Sequence, residues 1–211
     1  MGRIYDATWG RAFAAMYDRG LKRTEEAGLG RMRSELLAEA GGRVVELGAG
    51  TGVNLELYPP AVTDLVLVEP DPHMAKRLRA RLGESRRRAE IAEAPAERLP
   101  FADASFDTAV ATLVLCTVPD PAAALAELTR VLVPGGRLLF IEHVRSEDPG
   151  QARWQDRLNF LSQFVSCCDC NRSTLASIEA AGFEVEEVEH TELPKSPPFV
   201  RPLIVGTATR S

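Results

Sequence analysis

A chain of 211 residues has room for one full hydrophobic core, and its length argues against a second domain. Its 45% apolar and 26% charged residues exclude a disordered chain, and a net charge of −5 gives no overall field to draw a nucleic-acid backbone. No run approaches the roughly eighteen apolar residues of a membrane span, and Met1–Asp6 lacks the apolar core of a signal peptide, so a cytoplasmic protein is expected.

The chain opens without proline as far as Tyr58, and Trp9–Ala40 is rich in Ala, Leu, Arg and Glu, which favours helix. Two helices are expected, broken around Gly28–Gly30, with Met32, Leu36 and Ala40 on one face and Gly41–Gly42 ending the second. Tyr5, Trp9, Phe13, Met16 and Tyr17 give the leading part an aromatic face. Residues 1–42 thus read as a helical cap on the domain formed by residues 43–211.

Val44–Val53, V-V-E-L-G-A-G-T-G-V, is a buried strand closed by an acid and then by glycines at every second position. Such a turn lets backbone approach a ligand where a Cβ would stand in the way, and a helix N-terminus is expected behind it. A dinucleotide loop wants Gly or Ala where Val53 stands, and a phosphate-binding P-loop wants Gly-Lys-Ser or Gly-Lys-Thr where the chain has Gly52-Val53-Asn54. The first alternative is weakened and the second excluded.

After a short helix ending near Pro59–Pro60, Leu65–Val68 is a second strand closed by Glu69. An acid about twenty residues beyond the loop, at the tip of the second strand, is placed to accept from ribose hydroxyls. Asp71-Pro72 caps the next helix, with Met74, Leu78 and Leu82 on one face and a basic, solvated face opposite. Ala89–Ala94 is a weak third strand. Ala109–Leu115 is an apolar run without alternation, as in a central parallel strand, and Thr112–Cys116 lies at its C-terminal end, where open α/β sheets bind ligands.

Asp120-Pro121 caps a further helix, with Leu125, Leu128 and Leu132 facing the sheet and Pro134-Gly135-Gly136 as the stop. The fifth strand, Arg137–Glu142, brings Glu142 and His143 to the same edge. Gln151–Val165 reads as an amphipathic helix with Trp154, Leu158, Leu161 and Phe164 or Val165 on its covering side. A helix over 173–181 ends at Gly182, and Val185–His190 and Pro202–Thr209 are the last two strands.

Glu46-x-Gly48-x-Gly50-x-Gly52, Glu69, Ala96-Glu97, T-L-V-L-C at 112–116 and V-L-V-P-G-G-R-L at 131–138 stand in the order and spacing of a known family. Together they resemble the class I S-adenosylmethionine-dependent methyltransferases, over about half of the chain. Ala94–Phe101 is similar to quinone-biosynthesis-type members, while T-L-V-L-C-T-V-P-D-P, I-E-H-V and the late A-A-G-F look like a group that includes alkyl-thiol methyltransferases. The resemblance implies an α/β fold, with a Rossmann-like, seven-stranded, mostly parallel sheet, helices on both faces and an antiparallel last strand. It also implies S-adenosylmethionine as cofactor, with Glu46, Gly48, Ala49, Gly50, Gly52, Asn54, Glu69, Pro70, Met74, Ala96, Glu97, Thr112 and Leu113 as its contacts. Pro95 stands where relatives have an acid beside the adenine, so Ala96 and Glu97 carry more of that contact.

Transfer from a sulfonium needs alignment more than acid–base help, and His143 is the candidate if a base is used. The expected acceptor is a small molecule, a thiol or another soft or hydrophobic nucleophile. The alternatives are a quinol or phenol, arsenite, or a cofactor-binding protein without turnover. Cys167, Cys168 and Cys170 lack the two-residue gap of paired zinc ligands, and no metal is assigned to them. A nicotinamide-dependent oxidoreductase is the remaining alternative from another class.

Overall fold

The computed structural model describes residues 19–166 and 168–211, together with all their side chains except those of residues 164–166. The expectations for Tyr5, Trp9, Phe13, Met16, Tyr17, Phe164, Val165 and Cys167 lie outside what it describes. Seven strands form one sheet: β1 (Gly42–Leu47), β2 (Val62–Val68), β3 (Glu90–Ala92), β4 (Phe106–Thr112), β5 (Leu132–His143), β6 (Phe183–Glu192) and β7 (Pro202–Arg210). Their order is β3-β2-β1-β4-β5-β7-β6. Neighbours from β3 to β5 run parallel, and β7 is antiparallel to both β5 and β6, as the resemblance implied.

Strand periodicity divides the core between the two faces. Val45, Leu47, Ala109, Ala111, Leu138 and Phe140 point to one side, where α3 (Pro121–Val131) lays Ala124, Leu125 and Leu128 and α5 (Thr174–Ala180) lays Ile178. Val44, Val110, Leu139 and Ile141 point to the other, against Leu36 and Leu37 of α1 (Gly30–Leu37) and Leu78 of α2 (Pro72–Glu84). Each fully buried Val, Leu, Ile or Phe among them contributes about 2 kcal/mol. The described part of the N-terminal segment therefore shares the sheet's core.

Local signals set the helix starts. Asp71 accepts from the amides of His73 and Met74 at 2.8 and 2.9 Å, and Asp120 from that of Ala123 at 3.0 Å, each followed by a proline that needs no partner there. The N-terminal segment breaks where expected, at Gly28, whose backbone is non-helical between two helical stretches. A π-helical turn at Glu25–Leu29, with Gly28 at φ +148°, leads directly into α1.

Three expectations are corrected. No helix follows the glycine loop, because residues 51–57 form successive tight turns, Leu55 N–H to Gly52 O and Leu57 N–H to Asn54 O, before the prolines end the segment. Pro134-Gly135-Gly136 does not stop α3, which ends at Val131; it forms a bulge inside β5, between the pairs Phe106–Leu132 and Thr108–Arg137.

The helix α4 (Pro149–Ser166) turns Trp154 outward, 59% exposed, and buries Ala152, Gln155 and Ser162 instead. Gln155 decides this, since its Nε2 donates to Val144 O and Cys170 O and its Oε1 accepts from Ser146 N. Buried backbone groups at the end of β5 need those partners more than Trp154 needs cover.

β6 is one edge of the sheet, bulged between Val185 and Glu187. On its inner neighbour, Gly206 faces Phe140, and a Cβ there would lie 2.4 Å from Glu187 O and 2.7 Å from Phe140 Cζ. Gly206→Ala should lower the unfolding free energy by about 2–3 kcal/mol, read from chemical denaturation; an unchanged midpoint would show that β6 moves aside freely.

Candidate functional site

The C-terminal ends of β1 to β5 bring five short segments to one edge of the sheet, and nearly all the sequence-selected residues lie there. In the loop after β1 the three glycines answer different demands. A Cβ on Gly48 would lie 2.4 Å from Val114 Cγ2 and one on Gly52 2.6 Å from Leu78 Cδ1, so packing keeps both small. Gly50, at φ +57°, would have only Gly48 O near its Cβ, at 3.8 Å. A Cβ there would project into open space, the room that a group laid across the cradle would need.

Glu69, at the tip of β2, is 6% exposed and ties this loop to the next. Its Oε2 accepts from Gly50 N at 2.8 Å and its Oε1 from Asp71 N at 2.9 Å. Burial raises its pKa against those two amides. Pro70 is exposed beside it, and Met74 lies buried in the first turn of α2.

Glu46 is turned inward. Its Oε1 accepts from Asn54 Nδ2 at 2.8 Å and its Oε2 from the Tyr58 hydroxyl at 2.7 Å, and burial raises its pKa. Asn54 Nδ2 also reaches Thr112 Oγ1 at 3.0 Å. The network closes on Arg33, which is 2% exposed. Its Nη1 donates to Thr112 Oγ1 at 2.7 Å and Asn54 Oδ1 at 3.1 Å, and its Nε pairs with Glu25 Oε1 at 3.1 Å. Neither Arg33 nor Tyr58 was singled out from the sequence. The trace of Arg33 was its position, since Leu29, Leu36 and Leu37 occupy the same helical face four residues before and three and four after.

Beyond Thr112 the chain leaves β4 through Leu113 at φ +58°, an uncommon conformation for a branched side chain, held by Leu113 N–H to Ile141 O at 2.7 Å. The following amides converge on Glu142, which is fully buried. Its Oε1 accepts from Val114 N at 2.9 Å and Leu115 N at 2.8 Å, and its Oε2 from Cys116 N at 3.1 Å. Burial pushes its carboxyl up to about 7 against these three donors.

On the other flank, Ala96 is buried and Glu97 Oε1 accepts from Asp120 N at 3.2 Å, which links the loop after β3 to the start of α3. Arg130 fastens the same loop through Leu99 O, Phe101 O and Asp103.

His143 stands at the same edge, but inside it. It is 7% exposed, and its Nδ1 has no hydrogen-bond partner among the described residues. Burial holds its pKa down to about 4, so the ring is neutral at physiological pH and a weak base. Cys116, Cys168 and Cys170 form a small buried cluster. Donation of its S–H to Cys168, then burial, raises the Cys116 thiol, and burial pushes Cys170 up to about 11, so both stay protonated. Among the described residues no group of three His, Cys, Asp or Glu is arranged to hold a metal.

A family profile described as a methyltransferase domain matches residues 45–140. The thiol S-methyltransferase TMT1B of Rattus norvegicus is 37% identical over 176 residues, 79% of this chain and 70% of that one. A phosphatidylethanolamine N-methyltransferase of Cereibacter sphaeroides is 31% identical over 160 residues, 72% of this chain and 78% of that one. A solved S-adenosylmethionine-dependent methyltransferase of Thermotoga maritima, described as a possible histamine N-methyltransferase, superposes with a TM-score of 0.71 at 25% identity. That match covers 95% of this chain and 98% of that one.

The depressed pKa of His143 gives a signed pH dependence. The native state binds fewer protons than the unfolded chain between pH 6.5 and 4, so this contribution is full above 6.5 and is lost as pH falls. Relative to the wild type, His143→Leu should gain about 2–3 kcal/mol of unfolding free energy between pH 7 and 4.5. Parallel stability–pH curves would show that the ring protonates freely in the fold.

Proposed function

Since the chain belongs to the class I S-adenosylmethionine-dependent methyltransferases, we propose that it methylates the sulfur of a small thiol in the cytoplasm. The single observation that carries the acceptor is the 37% identity to a thiol S-methyltransferase over 79% of the chain, well beyond residues 45–140. S-adenosylmethionine supplies a methyl group already bonded to a cationic sulfur, so transfer is an in-line displacement by the acceptor.

In this reading Gly48, Ala49, Gly50 and Gly52 shape the cradle, with Asn54 and Glu46 holding it from beneath. Glu69 accepts from the ribose hydroxyls with the lone pairs that Gly50 and Asp71 leave free. Pro70 and Met74 border the ribose and adenine, Ala96 and Glu97 flank the adenine, and Thr112 and Leu113 underlie the amino-acid end. In this reading His143, a buried and weak base, is given no proton to move.

A thiol suits such a site. With an ordinary pKa of about 8.5, a few per cent is thiolate at neutral pH without help, whereas a phenol near 10 requires a base. The net charge of −5 supports a small acceptor over a nucleic acid. None of the described helices is long and apolar enough to cross a membrane.

The test is calorimetric titration with S-adenosylmethionine, followed by mass-spectrometric product detection with an alkyl thiol, a quinol, arsenite and phosphatidylethanolamine. S-methylated product from the thiol alone is expected; turnover confined to another acceptor would overturn the assignment. Glu69→Ala should weaken cofactor binding by about 1–3 kcal/mol. An unchanged dissociation constant would remove Glu69 from the ribose site.

A further inference from the structure

On the reading that these strand tips hold S-adenosylmethionine, we infer that Thr112 selects the carboxylate of its amino-acid end, with Arg33 as the positioning residue behind it. A guanidinium carries donors only, and Arg33 Nη1 gives hydrogen bonds to Thr112 Oγ1 at 2.7 Å and to Asn54 Oδ1 at 3.1 Å. The second bond fixes the Asn54 amide. With its oxygen toward Arg33, its nitrogen faces Glu46 Oε1 at 2.8 Å and Thr112 Oγ1 at 3.0 Å. A flipped amide would set N–H against N–H on one side and oxygen against a carboxylate on the other.

Thr112 Oγ1 thus accepts twice, from two groups that cannot accept in return. A hydroxyl has two lone pairs and one proton, so both lone pairs are filled and the proton is left over. Among the described residues no hydrogen bond takes that proton. Accepting from a cation also polarises the O–H bond and makes it a stronger donor.

Thr112 is the last residue of β4, at the edge where the glycine loop opens. A hydroxyl that can only donate binds a carboxylate and has nothing to offer an ammonium group. The amino-acid end of S-adenosylmethionine carries one of each. The network therefore sets which way round that end lies. Arg33, anchored at Glu25 in the N-terminal segment, fixes the polarity of Thr112 without touching the ligand.

The test is calorimetric titration of the full chain with S-adenosylmethionine and with decarboxylated S-adenosylmethionine, which keeps the sulfonium, ribose and adenine and lacks only the carboxylate. Wild type should bind the carboxylated compound at least about tenfold more tightly. Thr112→Val should bring that preference to within about threefold by weakening the carboxylated compound alone, while Thr112→Ser keeps it. Arg33→Met leaves the hydroxyl in place but free to turn, and should cut the preference too; the Thr112 pair stands without it should that variant fail to fold. Equal weakening of both compounds by Thr112→Val, or a wild type without preference, would overturn the inference. A wild type that binds neither compound would overturn instead the cofactor placement on which it rests.

Discussion

The chain between Thr112 and Cys116 is held in a shape its own backbone disfavours, and the candidate site depends on that restraint. Leu113 sits in the left-handed region at a cost of about 1–2 kcal/mol. Three consecutive amides beyond it turn toward one fully buried carboxylate, that of Glu142. A carboxylate out of water is costly unless its lone pairs are filled, and unpaired amides are costly for the same reason, so each stabilises the other. The result is a rigid platform at the tip of β4, fastened from β5 on one side and from Arg33 on the other.

That platform accounts for the division of labour among the glycines. Val114 hangs from it and presses on Gly48, so the first glycine answers to packing within the protein, while Gly50 alone answers to the space outside. The acids behave similarly. Glu46 is spent inside the fold on Asn54 and Tyr58, whereas Glu69 binds two backbone amides at the rim and ties one loop to the next. A motif that reads as one unit in sequence is thus a set of residues with separate physical duties.

Legibility followed the range of the interactions. The strands, the helix caps and the turn after β1 were readable because apolar runs, Asp-Pro starts and spaced glycines act within a few residues. Arg33 was not, since its partners lie 8, 21 and 79 residues away and a basic residue on a helix ordinarily faces water. Trp154 misled for the opposite reason: hydrophobic periodicity placed it inside, but the polar reach of Gln155 set the rotation of α4. His143 lies at the edge where the sequence put it, but its burial, which lowers its pKa, is invisible in sequence.

The outer strand β6 carries Glu184, Glu186, Glu187, Glu189 and Glu192 along a hydrogen-bonding ladder ten residues long that no further strand pairs among the described residues. A ladder of that length is a template for another chain. A second copy approaching it would bring its own glutamates opposite these, and like charges across a strand pair repel. The bulge at Val185–Glu187 further spoils the register such a partner would need. The acidity that the composition shows only as a net charge is thus concentrated where it guards the sheet against growing by one strand at a time.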